Sequence, residues 1–361
     1  MFMKHGKLIL FAFFSFSCFF SLSQADTLKQ KIKVVGLPIL YYQPETRWAG
    51  GVAGFLSFKT DPYQKDSLNW SQIALGGAYT QEKQILTYAS FDVWMKKNAY
   101  NLNGEIGYYK YFYYFHGIGN DERSLESYNL NFARLRATFE KRVYPATYVG
   151  VKYVFDQMNF TRLDTMGIIY TQNLLGMGGG IISGLGMSAR YDTRNSTFYP
   201  TQGYQIRANS TFYSPVFGSD YTYNVSEIDA IKYFDLKKDR VLATYVYGRF
   251  IAGDAPFFHL SMLGGNKKMR GYYQGFYRDK QLLGWQTEYR TPVWWRFGAV
   301  AFVGNAVVAP TFSQFALKHV KTTAGLGLRF LLDKERKINL RIDYALSKES
   351  SGFYLTIGEA F

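Results

Sequence analysis

Ile338-Asn339-Leu340-Arg341-Ile342-Asp343-Tyr344-Ala345-Leu346 alternates without a break. One side carries Ile338, Leu340, Ile342, Tyr344 and Leu346; the other carries Asn339, Arg341, Asp343 and Ala345. A period of two describes a strand with two unlike faces. A soluble two-layer fold buries the first set as well as a membrane does, so this stretch alone leaves the class open. Repetition decides it. Leu185, Met187, Ala189 and Tyr191 oppose Gly186, Ser188, Arg190 and Asp192. Ala324, Leu326, Leu328 and Phe330 oppose Gly325, Gly327 and Arg329. Small and charged residues always share a side. The core of a soluble sandwich does not collect arginines, whereas a wide, wet lumen does.

Composition agrees. Tyr and Phe each occur 31 times, and aromatics reach 19%. Hydrophobic residues make up 47%, yet the mean hydropathy is only −0.18. That balance fits a membrane barrel, whose lipid-facing residues alternate with lumen-facing ones and whose aromatics girdle both interfaces. At the start, Lys4 and Lys7 precede the apolar run 8–22, and Ser23-Gln24-Ala25 offers small residues for cleavage. A run of about 15 residues is short of the roughly 20 that span a bilayer. Residues 1–25 therefore read as a signal peptide, with an N-terminal anchor or a lipoprotein cleavage before Cys18 as alternatives. Residues 26–32 read as a short periplasmic N-terminus, and 33–361 as the barrel. Cleavage removes Cys18, the only cysteine, and lowers the formal charge from +15 to +13 by removing Lys4 and Lys7. The basic balance suits outer-membrane lipids and lipopolysaccharide phosphates rather than nucleic acid. No second apolar run near 20 residues follows, which excludes a helical membrane protein.

Turn signals place strands near 33–42, 47–60, 70–81, 85–96, 100–112, 127–142, 147–160 and 182–195. Others fall near 203–214, 221–234, 240–252, 281–293, 297–309, 321–332, 336–347 and 351–361. The expectation is an all-β protein, a 16-stranded antiparallel transmembrane β-barrel. With both ends periplasmic, the short connections lie inside, and the long ones, 113–126, 161–181 and 253–280, lie at the cell surface. The last strand is expected to end on Phe361, with Phe353, Leu355 and Ile357 on the same apolar side.

One surface loop stands apart. Gly264-Gly265-Asn266-Lys267-Lys268-Met269-Arg270-Gly271-Tyr272 is too rich in Gly and Lys for a membrane strand. The strand behind it puts Gly284, Gln286, Glu288 and Arg290 on one face and Leu283, Trp285, Thr287 and Tyr289 on the other. Glu288 therefore points inward, where it can accept the planar fork of Arg270 if the loop folds into the lumen. The alternative is a surface loop with a solvated arginine.

The chain resembles the BamA/TamA-like superfamily, the bacterial surface antigen barrels, in four places. They are the Arg270-Gly271-Tyr272 tripeptide, Glu288 on the following strand, the turn Asp192-Thr193-Arg194…Pro200-Thr201-Gln202-Gly203, and the final stretch 325–361. The resemblance implies a loop lock made by Arg270, Gly271, Tyr272 and Glu288, with a periplasmic turn motif of Asp192, Arg194, Pro200 and Gly203. It also implies a C-terminal assembly signal carried by Phe353, Leu355, Ile357 and Phe361. Family members usually add an Asp on the next strand, where Gly304 stands here. The lock is thus expected to rest on Glu288, with Asp343 a more distant candidate. Full-length members carry periplasmic capture domains; the few residues after Ala25 suggest a barrel-only branch.

The resemblance implies a role in outer-membrane biogenesis, through a lateral seam between first and last strands. Partners would be nascent outer-membrane proteins and a separate periplasmic factor. A passive porin, with Arg190, Arg290, Arg329 and Arg341 favouring anions, is the alternative. A homo-oligomer that organises lipid is a third reading. The histidines, His5, His116, His259 and His319, show no triad spacing. The glycine cluster 176–180 lacks the Lys-Ser/Thr of a phosphate loop. No catalytic residue, cofactor or metal site is expected.

Overall fold

The computed structural model describes residues 32–60, 69–120, 125–334 and 337–361. The expected signal peptide 1–25 and most of the expected 26–32 linker lie outside these. Sixteen strands close into one antiparallel barrel. They begin with β1 (Lys33–Gln43), β2 (Arg47–Phe58), β3 (Ser71–Thr80), β4 (Ile85–Met95), β5 (Tyr100–Phe115) and β6 (Glu126–Tyr144). Next come β7 (Thr147–Arg162), β8 (Gly180–Asp192), β9 (Gly203–Tyr213), β10 (Tyr223–Asp235) and β11 (Val241–Gly253). After a long loop follow β14 (Gln281–Trp294), β15 (Phe297–Ala309), β16 (Lys321–Asp333), β17 (Ile338–Ser347) and β18 (Ser351–Ile357). The loop holds its own two-stranded ribbon, β12 (Ser261–Leu263) with β13 (Tyr277–Asp279).

The two faces are those of the sequence. Met187 is 77% exposed and Leu326 69%, both toward lipid, whereas Arg190, Arg329 and Arg341 are buried in the lumen. Closure pairs most of the strand edges that hydrocarbon cannot satisfy. The upper lumen is filled by aromatic residues, among them Phe115, Tyr128, Phe132 and Tyr223, packed against Phe257 and Phe258 of the long loop. Lower down, Leu263, Met269, Tyr272 and Tyr277 of the same loop pack on Tyr245, Tyr247 and Val308 of the wall. The 253–280 segment therefore lies inside the barrel.

Two expectations at the C-terminus are corrected. The last strand stops at Ile357 rather than running to Phe361. Gly358, at φ 87°, turns the chain, and its N–H donates to Asn339 O at 2.8 Å. Phe353 and Ile357 remain on the lipid side with Leu355 half-buried, but Phe361 packs against Tyr245, ring centroids 5.2 Å apart. Its main-chain oxygen accepts from Arg290 at 2.7 Å. The aromatic end is thus drawn toward the buried arginines instead of the lipid.

Candidate functional site: the loop clamp and the seam

The ribbon β12–β13 carries the loop tip down to the arginine-rich part of the wall. Met269, at φ 51°, and Gly271, at φ 110°, bend the tip so that Arg270 projects between them. Arg270 is fully buried. Its Nη2 donates to Glu288 Oε2 at 2.5 Å and its Nη1 to Asp343 Oδ2 at 2.5 Å. The guanidinium lies 3.5 Å from the centroid of the Phe302 ring. A planar cation is thereby held on two edges by carboxylates and on one face by an aromatic ring.

Asp343 is therefore a direct partner, not a distant one. The reason lies in three glycines. A Cβ at Gly304 would crowd Gln286 Cβ at 3.0 Å and Met269 Sδ at 3.3 Å, so a side chain there would press on the loop tip. A Cβ at Gly325 would strike the Phe302 ring, and one at Gly327 would strike Asp343 Oδ1. Bare positions on β15 and β16 clear the floor across which Asp343 reaches from β17. Asp343 also accepts from Arg329 Nη1 at 2.6 Å and sits 3.5 Å from Arg341 Nε. Glu288 Oε1 accepts from Arg290 Nε at 2.8 Å. Glu359 accepts from Arg329 Nε and from Asn339 Nδ2, each at 2.8 Å. Elsewhere, Arg190 pairs with Glu140 at 2.5 Å. Carboxylates thus face all four arginines once read as anion-attracting, which removes that argument for a porin.

The rest of the tip is tied to both neighbours of the barrel's closing edge. Gly271 N donates to Tyr354 Oη on β18 at 2.9 Å, and Tyr272 Oη donates to Glu349 in the β17–β18 turn. On the other side, Gln274 N donates to Glu45 Oε1, between β1 and β2, at 2.8 Å. Tyr354, Glu349, Glu45 and Glu359 had no sequence signal beyond their parity or their place in a turn.

Burial raises the Glu45 carboxyl above its ordinary value of 4.5, against the lowering effect of the Gln274 N–H. A raised folded-state value means that the stabilisation is complete at low pH and is lost as pH rises through that value. Glu45 is therefore expected to contribute a fall in thermal stability as pH climbs above 4.5, and the Glu45→Gln variant to show a shallower slope. An unchanged slope in a melting series across pH would refute the assignment to Glu45.

The periplasmic turn is also placed. Arg194 Nε and Nη2 meet the two oxygens of Asp192 at 2.9 and 2.8 Å. Pro200 is buried, and Gly203 has φ 101° with Thr193 O beside it.

Closure itself is uneven. β1 pairs with β2 through every residue from Lys33↔Ser57 to Gln43↔Arg47. With β18 it forms, among the described residues, the single register pair Tyr42↔Leu355. Residues 71–361 match the Omp85 superfamily domain. The chain belongs to the Omp85 superfamily. Three solved structures of similar fold are BamA from Haemophilus ducreyi lacking POTRA domains 1–3 and the CdiB proteins of Acinetobacter baumannii and Escherichia coli. The first is 15% identical with a TM-score of 0.61, covering 91% of this chain and 70% of that one. The second is 12% identical with a TM-score of 0.59, over 91% and 60%. The third is 10% identical with a TM-score of 0.55, over 90% and 61%. This Omp85 barrel thus spans about six tenths of each CdiB chain. No curated protein matches the chain. As an Omp85 barrel it is an integral protein of the Gram-negative outer membrane.

Proposed function

We propose that this Omp85 barrel acts in outer-membrane biogenesis, inserting or translocating proteins through the seam between β1 and β18. The seam carries the reading. One register pair joins these strands, whereas Thr323↔Ser347 to Asp333↔Ile338 join β16 to β17. Each missing ladder pair leaves backbone groups free to bond an incoming strand, the mode of strand addition to an open edge. Nascent outer-membrane strands are the clients this chemistry suits, and a separate periplasmic factor would deliver them. The loop clamp sets the shape of the wall beside the seam.

The test is a covalent seam. Tyr42→Cys with Leu355→Cys, on a Cys18→Ala background, joins the paired positions. Oxidation should abolish complementation of a deletion strain, read as loss of a defined set of barrels or surface lipoproteins from the outer-membrane proteome, and reduction should restore it. Full activity with the seam locked would reject the mechanism and leave a passive or structural barrel. A porin draws support from a luminal cavity of about 720 Å³, lined by Arg207 and Lys267 and by the carboxylates Asp92, Glu105 and Glu140. Large, steady conductance of the wild type in planar bilayers would favour it.

A further inference from the structure

The net charge of this chain is not spread evenly. At the outer end, Glu82, Asp164, Asp220, Asp254 and Glu349 stand among the cations, and Arg47 and Lys280 are ion-paired to Glu82 and Asp254. The periplasmic end is different. The β10–β11 turn exposes Lys237, Lys238 and Arg240, and the β4–β5 turn exposes Lys96 and Lys97. The first turn also holds Asp235 and Asp239, so its cations outnumber its carboxylates, the more so once Lys337 is counted. Asp235 Oδ1 accepts the Lys237 N–H at 2.8 Å, and Asp239 pairs with Lys337 at 3.4 Å.

Just above this turn, Lys232 sits on the lipid-facing side of β10. Its register partner is Tyr204, and its Nζ lies 3.4 Å from the Tyr204 ring centroid and 5.3 Å from that of Phe234. Tyr204, Phe234 and Leu236 are exposed. A lysine on the outer wall has no lumen to enter; its ammonium lies over the Tyr204 face, next to the basic turn at the membrane edge. Amphipathic rings mark the same depth. A second patch repeats the pattern, with Lys96 5.5 Å from the Tyr100 ring, Tyr100 stacked on Phe139, and Lys141 opposite Tyr100.

We propose that the periplasmic end of β9–β11 is a binding site for an anionic phospholipid of the inner leaflet. Lys232, Lys237, Lys238 and Arg240 hold the phosphate, and Tyr204 and Phe234 border the glycerol and upper acyl chain. An acidic protein would use the turn, but it has no access to Lys232 or to the rings on the lipid-facing wall. This favours lipid.

The test uses the full chain in detergent, titrated with phosphatidylglycerol or phosphatidylcholine and followed by native mass spectrometry. Phosphatidylglycerol should be retained more strongly. Lys232→Met, which keeps an unbranched apolar chain and removes the charge, and the Lys237→Gln/Lys238→Gln/Arg240→Gln triple variant should each weaken it, by about fivefold per cation removed. Phosphatidylcholine retention should not change, and Lys318→Gln/Lys348→Gln at the outer end should have no effect. Equal retention of the two lipids would overturn the proposal. So would an equal loss in the outer-end variant, which means charge alone. Unchanged lipid retention with loss of a co-purifying acidic periplasmic protein would move the site to a protein partner.

Discussion

Replacing Asp343 by asparagine is expected to destabilise the barrel by about 3–5 kcal/mol, the loss seen when one member of a buried ion pair is removed. Asn keeps the size of the side chain, so no cavity is made and the effect is one of charge. Asp343 lies among Arg270, Arg329 and Arg341, with exposure near zero. Removing its charge leaves Glu288 and Glu359 among four arginines, in a place where water cannot screen the repulsion. The urea midpoint of the detergent-folded protein is the measurement. A shift equivalent to less than about 0.5 kcal/mol, the range of ordinary surface substitutions, would show that the clamp contributes nothing. Combining Asp343→Asn with Arg270→Met should be less harmful than the sum of the two, because each change removes the partner that the other leaves stranded.

The second large effect is expected at Gly264. Its φ is 107°, and a Cβ there would stand 2.2 Å from Tyr273 O. Gly264→Ala thus meets both a disfavoured backbone region, at about 1–3 kcal/mol, and a backbone atom that cannot step aside. The tip should leave its seat while the sixteen wall strands persist. Lys267 and Lys268 would then become trypsin sites in the folded barrel, and heat-modifiable migration would be retained. A wild-type digestion pattern would mean that the loop tolerates the change and that its seat is looser than the contacts imply.

The wall was legible because lipid and lumen impose opposite demands at every step of a strand. That demand is written in the alternation of Ile338–Leu346 and in the arginines that always fall on one side. Strand pairing then follows from order along the chain. Glu288 and Arg270 were legible for the same reason, since parity points Glu288 inward and the loop composition is foreign to a strand. The position of Asp343 opposite them was not. Two strands separate β14 from β17, and what lets the side chains meet is the absence of side chains at Gly304, Gly325 and Gly327. Parity says that these glycines face the lumen, but not that Phe302 and Met269 will fill the space they leave. The Phe361 correction has a similar origin. Alternation from Phe353 to Ile357 extrapolates smoothly, and only the positive φ of Gly358 breaks it. The ribbon β12–β13 is three residues a side, below the length at which periodicity carries a signal.

The clamp also has a meaning in time. Arg270 meets Glu288 after 18 residues of chain but Asp343 only after 73. A half-made barrel that already holds β14 but not β17 offers the arginine one carboxylate instead of two, and neither Tyr354 nor Glu349 for the rest of the tip. Contacts between residues so far apart in sequence form late, because the intervening chain must be ordered first. Seating of the loop therefore reports that the C-terminal strands have arrived. Until then the loop tip lacks its second carboxylate and its contacts with Tyr354 and Glu349, so an unfinished molecule is expected to differ from a finished one in the accessibility of its lumen. The pair between Arg270 and Asp343 is thus expected to form only once the last strands are in place.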